Sequence, residues 1–218
     1  MTRIKICGIR EEVHALAAVE NGADFVGFVF ASTRRQVSPA KAREIVGTVK
    51  KNGSAIKPVG VFVDAPASEV NKIADFCGLD WVQLSGNESW EYCRQIARPI
   101  IKAFRIGQQL REEINAELTV GLKTLSPQRF ITLLDSQVEG KYGGTGIAFN
   151  WRLVQQVAKG FPVIIAGGLN PENVAQAIEI TTPWGVDVSS GVETDGTKDI
   201  AKIKAFIEAV RRTDGNKR

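Results

Sequence analysis

Histidine and cysteine are scarce in this chain of 218 residues: His14 stands alone, and Cys7, Cys77 and Cys93 make an odd number of thiols without metal-ligand spacing. A disulfide scaffold and a zinc site are therefore not expected. Catalysis by histidine is not expected either, since His14 falls inside the first helical pattern. Long apolar runs are missing too. No stretch approaches the roughly 18 to 20 residues that a membrane-spanning helix needs. Arg3, Lys5, Arg10, Glu11 and Glu12 break any secretory pattern at the start, so a cytoplasmic protein without a membrane partner is expected. No Pro- or Gly-rich linker divides the sequence, which favours one large domain over two small ones.

Charge of one sign is also lacking. Lys and Arg number 28 against 24 acidic residues, for a net charge of +4. The residues are 44% hydrophobic and 24% charged, a globular composition that excludes disorder as the main state. Nucleic-acid binding would need a concentrated basic face or a recognised motif, and neither is found. The four basic groups between Arg211 and Arg218 read as a solvated end, a flexible tail over 212–218.

Present instead is a regular alternation. Short apolar, β-rich runs occur at Ile4–Cys7, Phe25–Phe30, Val59–Val63, Trp81–Leu84, Ile100–Ala103, Phe130–Leu134, Val163–Ala166 and Gly185–Val188, with helix periodicity between them. Continuous runs of this length suit parallel strands covered on both faces. Ser38-Pro39, Pro66 and Asn170-Pro171 read as helix starts, and Gly22, Gly78 and Gly160 as left-handed stops. Segment 105–128 is the least regular, and its helix is placed at 109–116. Eight strand–helix units in 218 residues favour a closed (β/α)8 TIM barrel with short loops over an open doubly wound sheet.

In such a barrel the chemistry sits where the strands end, because the βα loops converge there. Those ends offer Cys7-Gly8, Asp64, Gln83–Gly86, Lys102, Asp135, Gly167-Gly168 and Asp187–Gly191. Gly167 and Gly168 after the seventh strand, with Ser189, Ser190 and Gly191 after the eighth, fit the common phosphate site of the fold. Tight βα turns are the alternative use of those glycines. Cys7 and Asp135 close the first and sixth strands and offer an acid and a base to one mouth. A functional Cys7 would need a positive neighbour to become thiolate, and Lys5, two residues earlier, points the same way. A buried small hydrophobe is the alternative for Cys7, and a loop cap for Asp135.

Several runs together point to a family: Lys5-Ile6-Cys7-Gly8-Ile9, Gly27-Phe28-Val29-Phe30, Arg35 before Val37-Ser38-Pro39, Val59–Val63, Val82-Gln83-Leu84, Lys102-Ala103, Leu133-Leu134-Asp135, Tyr142–Gly146, Gly167–Val174 and Val186–Glu193. Over nearly its whole length the sequence resembles phosphoribosylanthranilate isomerases of tryptophan biosynthesis. The resemblance implies an Amadori rearrangement, the third step from chorismate. N-(5-phosphoribosyl)anthranilate becomes 1-(2-carboxyphenylamino)-1-deoxyribulose 5-phosphate without cofactor or metal. It also implies Cys7 as general base, Asp135 as general acid, Arg35 on the anthranilate carboxylate, and the two Gly/Ser loops on the 5-phosphate. The expected partner is a small phosphorylated substrate, and the expected assembly a monomer or homodimer.

Acid–base work by this pair leads to the expectation of a lowered Cys7 pKa and a raised Asp135 pKa. The sequence departs from the family at Ser85, where histidine is common, and at Asn150, where aspartate is commoner. A phosphosugar isomerase or epimerase on the same barrel is a second enzyme reading, although it leaves Arg35 no obvious partner. A catalytically silent barrel that binds a metabolite is a third, disfavoured by the retained Cys7 and Asp135.

Overall fold

Eight parallel strands pair in ring order, the last closing on the first. The computed structural model describes residues 1–52, 55–105, 111–135 and 151–216, with the backbone alone described at 111 and 151–153. The barrel strands are β1 (Arg3–Cys7), β2 (Phe25–Val29), β3 (Lys57–Phe62), β4 (Trp81–Leu84), β5 (Ile100–Arg105), β6 (Phe130–Asp135), β7 (Val163–Ala166) and β8 (Gly185–Val188). The helices are α1 (Glu12–Glu20), α2 (Pro39–Lys51), α3 (Ala67–Cys77), α4 (Trp90–Arg94), α5 (Arg111–Thr124), α6 (Trp151–Ala158), α7 (Val174–Thr181) and α8 (Ile200–Gly215).

The two-residue period of the strands sorts their side chains into two cores. Ile4, Ile6, Val26, Phe28, Phe62, Val82, Leu84, Leu134, Ile165 and Val186 face outward against the helices. Phe25, Val59, Ile101, Ile131, Leu133, Ile164 and Ala166 fill the barrel, with Trp81 and Trp184 packed on them. Trp81 meets the Phe25 ring edge-on at 6.1 Å, and Trp184 lies 6.0 Å from it. These aromatics lie at the strand starts and make an apolar floor. Higher in the barrel the interior turns to Cys7, Val29 and Val61, and Lys5 and Asp187 meet inside it as an ion pair.

Local signals act as expected at several boundaries. Ser38 caps α2 by accepting from the Lys41 N–H at 3.2 Å, with Pro39 at the first helical position. Gly22 and Gly78 take φ of +84° and +67° after their helices, but Gly160 is not left-handed. Its N–H instead closes a turn on the Val157 carbonyl at 3.0 Å. Asn170-Pro171 opens a turn that leads into α7: the Asn170 side chain accepts from the Glu172 and Asn173 N–H groups, and its carbonyl accepts from the Val174 N–H at 3.1 Å. The helix expected at 109–116 is the longer α5. Polar exposed faces blur the periodicity there, while Ile114 and Leu118 carry the buried stripe.

A short hairpin after β8, β9 (Glu193–Thr194) with β10 (Thr197–Lys198), was not expected from the sequence. Of the segment anticipated as a free tail, residues to Gly215 continue α8, and Asp214 accepts from the Thr2 N–H and hydroxyl at 2.7 and 2.8 Å. Residues 217–218 lie outside the described residues, as do the 142–146 motif and Asn150. No helix among the described residues is long and apolar enough to cross a membrane.

Candidate active site

Cys7 is the last residue of β1 and is paired in register with Gly27 of β2. A Cβ at position 27 would stand 2.9 Å from Cys7 Sγ and 3.1 Å from Lys5 Nζ. Glycine there leaves the inward space that both side chains use. Lys5 is 1% exposed and ion-paired to Asp187 across the β1–β8 ladder, Nζ to Oδ1 at 3.0 Å. A charged lysine inside a barrel survives only with such a partner. Burial works to lower the Lys5 pKa, but Asp187 and the neighbouring Cys7 leave it raised.

The expected thiolate-favouring field is therefore present, yet the net effect on Cys7 is opposite to the expectation. Burial pushes its thiol up, and Asp187 adds to the rise. The Lys5 ammonium, already engaged by Asp187, offsets only part of it.

Arg35 lies on the loop after β2, and its aliphatic stem passes over Gly8. A Cβ at position 8 would lie 2.8 Å from Arg35 Cδ and 3.2 Å from Ser189 Oγ. Gly8 also holds φ at +80°, so both backbone shape and space require glycine there. The Arg35 guanidinium donates through Nε and Nη2 to Glu193 Oε1 and Oε2 at 2.7 and 2.9 Å. Lys198 Nζ reaches Glu193 Oε1 at 2.8 Å and the Ser189 carbonyl at 2.8 Å, and Ser189 Oγ donates to the Cys7 carbonyl at 3.2 Å. Burial raises the Glu193 pKa, but the hydrogen bonds and charges of Arg35 and Lys198 prevail and hold it at about 2. Burial, reinforced by Arg35, lowers that of Lys198.

The loops after β7 and β8 lie against each other. Gly167 and Gly168 take φ of +93° and +65°, and Asn173 fixes the turn by accepting from the Asn170 N–H and donating to the Gly168 carbonyl, both at 2.9 Å. Gly191 sits so close to this turn that a Cβ would overlap the Leu169 carbonyl and stand 3.0 Å from Asn170 Cα. Ser190 begins a single 3-10 turn, Ser190–Val192. The two glycine-bearing loops are thus in backbone contact, and the first leads into the N-terminus of α7.

Asp135 ends β6, with the same inward period as Leu133, and pairs in register with Arg105 and Ala166. It is half-buried and stands three strands from Cys7 around the ring. The structure thus gathers Cys7, Arg35, Gly167, Gly168, Ser189, Ser190 and Gly191 about one mouth and ends β6 at the same rim with Asp135.

Lys102 and Asp64, also considered from the sequence, serve the scaffold instead. Lys102 turns outward and pairs with buried Glu88 at 2.9 Å. Glu88 in turn accepts from the Asp64 and Gly86 N–H groups. Ser85, the departure from the family pattern, accepts from Gln83 Nε2 at 3.0 Å. Glu193 and Lys198 were missed as site residues; Glu193 closes a quoted motif, but nothing local marks Lys198. Among the described residues no group of three or more His, Cys, Asp or Glu side chains gathers as metal ligands.

The family model described as N-(5'phosphoribosyl)anthranilate (PRA) isomerase matches residues 4–209. The N-(5'-phosphoribosyl)anthranilate isomerase of Dehalococcoides mccartyi is 48% identical over 218 residues, covering 100% of this chain and 99% of that one. The phosphoribosyl anthranilate isomerase structure from Thermotoga maritima superposes with a TM-score of 0.84 at 39% identity, covering 97% of this chain and 100% of that one. Another such isomerase, solved with reduced 1-(o-carboxyphenylamino)-1-deoxyribulose 5-phosphate, gives a TM-score of 0.80 at 37% identity, with coverage of 97% and 100%. Full-length matches in both sequence and fold, around a mouth that brings the motif residues together, place this chain in the N-(5'-phosphoribosyl)anthranilate isomerase family.

Proposed function

We propose that this chain carries out its family's reaction, the Amadori rearrangement of N-(5'-phosphoribosyl)anthranilate in tryptophan biosynthesis, with Cys7 and Asp135 as its proton-transfer pair. Asp135, protonated, donates to the ribose ring oxygen as the C1–O bond breaks, and the nitrogen lone pair forms the C1=N bond of a protonated Schiff base. Cys7 as thiolate then removes the C2 proton. The C2–H electrons flow toward the iminium nitrogen, and the resulting enolamine tautomerises to the aminoketose. The positive charge of the Schiff base develops beside C2, where it favours the thiolate that burial opposes.

The remaining residues bind and orient. The loops at Gly167-Gly168 and Ser189–Gly191 hold the 5-phosphate through backbone N–H groups. Arg35 meets the anthranilate carboxylate, which matches a planar guanidinium better than a point-charge ammonium. The observation that carries the reading is the link of Ser189 to the Cys7 carbonyl, which couples the phosphate loop to the strand end that bears the base. A monomer and a homodimer both accord with the relatives, since one of the matching structures is a monomer generated from the dimeric T. maritima enzyme.

Loss of the fluorescence of phosphoribosylanthranilate on incubation with purified protein tests the activity directly. Turnover abolished by Cys7→Ala supports the assignment. Turnover that survives it at the wild-type rate removes Cys7 from the mechanism.

A further inference from the structure

Glu193 takes no part in proton transfer, yet three cations converge on it. Arg35 grips both of its oxygens, Lys198 shares Oε1, and Arg34 Nη2 reaches Oε2 at 3.2 Å. The Glu193 side chain is 5% exposed and that of Lys198 3%. Among the described residues, one carboxylate thus faces three cations.

The hairpin beneath is held from several sides. Glu193 and Lys198 are cross-strand partners in β9–β10, and Lys202 Nζ donates to the Glu193 carbonyl at 2.9 Å. Asp199 accepts from the Thr194 hydroxyl while capping α8 through the Ala201 and Lys202 N–H groups. Glu193 is thus mounted on a braced platform at the end of the phosphate loop. A long arginine left to itself must be ordered when its ligand arrives; one clamped beforehand through Nε and Nη2 has its plane set.

We propose that Glu193 is a positioning residue that fixes the plane of Arg35 for an aromatic carboxylate. Lys198 ties this clamp to Ser189, so that the carboxylate and phosphate ends of one ligand are gripped by a single ion-paired unit. The inference rests on the reading of Arg35 as the carboxylate site.

The test uses full-length protein and two probes: reduced 1-(o-carboxyphenylamino)-1-deoxyribulose 5-phosphate, which carries both anionic ends, and inorganic phosphate, which carries one. Glu193→Gln removes the charge at constant size. Glu193→Asp keeps the charge but withdraws it by one methylene, and serves should the glutamine variant fail to fold. Each is expected to weaken the two-ended probe at least tenfold while phosphate affinity stays within about twofold, and to raise KM more than it lowers kcat. Adding Glu193→Gln to Arg35→Ala should cost no more than Arg35→Ala alone, because both act on one contact. Lys198→Met should weaken both probes.

Equal losses for both probes, additive losses in the double variant, or a fall in kcat at constant KM would overturn the proposal. The basis is tested separately. If Arg35→Ala leaves the two-ended probe unaffected, the carboxylate reading falls and takes the proposal with it. If Arg35→Ala weakens that probe and neither Glu193 variant does, only the positioning role is lost.

Discussion

Gly191 offers the sharpest test of the phosphate site, because the structure gives the consequence of a single added methyl group. A Cβ at this position would overlap the Leu169 carbonyl oxygen and lie 2.8 Å from its carbon and 3.0 Å from Asn170 Cα. All three atoms are backbone, so no side-chain rotation relieves the overlap. The loops after β7 and β8 must part by on the order of 1 Å before the Leu169 oxygen reaches an ordinary distance, and a misplacement of that size can cost about 10²-fold in binding or rate.

Gly191→Ala is therefore expected to weaken inorganic phosphate, measured as a competitive inhibitor, and to raise KM for phosphoribosylanthranilate, each by about 100-fold. Overpacking of this kind costs about 1 to 3 kcal/mol of stability, which a barrel of this size survives. Gly22→Ala is the control, since a Cβ there meets nothing within 4 Å and the residue, just beyond α1 and outside both loops, has only its φ of +84° to resist it. Its effect should be confined to a modest loss of stability. A folded Gly191→Ala protein that binds phosphate as tightly as wild type would show that these two loops do not make the phosphate site.

Asp135→Asn and Cys7→Ala should each lower turnover by at least ~100-fold without loss of fold, the scale of a positioned acid or base; circular dichroism and the fluorescence assay check both. The pH dependence follows from the raised Cys7 pKa. The base works deprotonated, so kcat/KM, which reports the free enzyme, should still be climbing beyond the ordinary thiol value of about 8.5. The kcat profile should turn at lower pH, because the Schiff base charge favours the thiolate. A kcat/KM plateau reached by pH 7 would contradict this. Glu88→Ala leaves buried Lys102 without its ion pair and releases the Asp64 and Gly86 N–H groups. A loss of about 3 to 5 kcal/mol in urea unfolding is expected, with the Glu88→Gln, Lys102→Met double variant closer to wild type.

Much of the architecture was legible along the chain. Trp81–Leu84, Val163–Ala166 and Gly185–Val188 are strands over the residues expected, because short apolar runs between turn residues have few other uses. Cys7, Asp135 and the Gly/Ser loops became candidate site residues from the rule that barrel chemistry lies at strand ends, and the family motifs added Arg35. The α5 region read poorly, since its buried stripe rests on a few residues amid polar ones.

Local order therefore determined the strand–helix alternation, the helix cap at Ser38, the glycines that permit close approach, and which residues became candidates for the chemistry. Only the closed barrel decided what surrounds them. Lys5 finds Asp187 across 182 positions of sequence, and Arg35 finds Glu193 across 158; no periodicity in a chain encodes such partners. The Cys7 pKa shows the same division. A lysine two residues away suggested a lowered value, but burial is a property of every element packed around the thiol, and it reversed the sign.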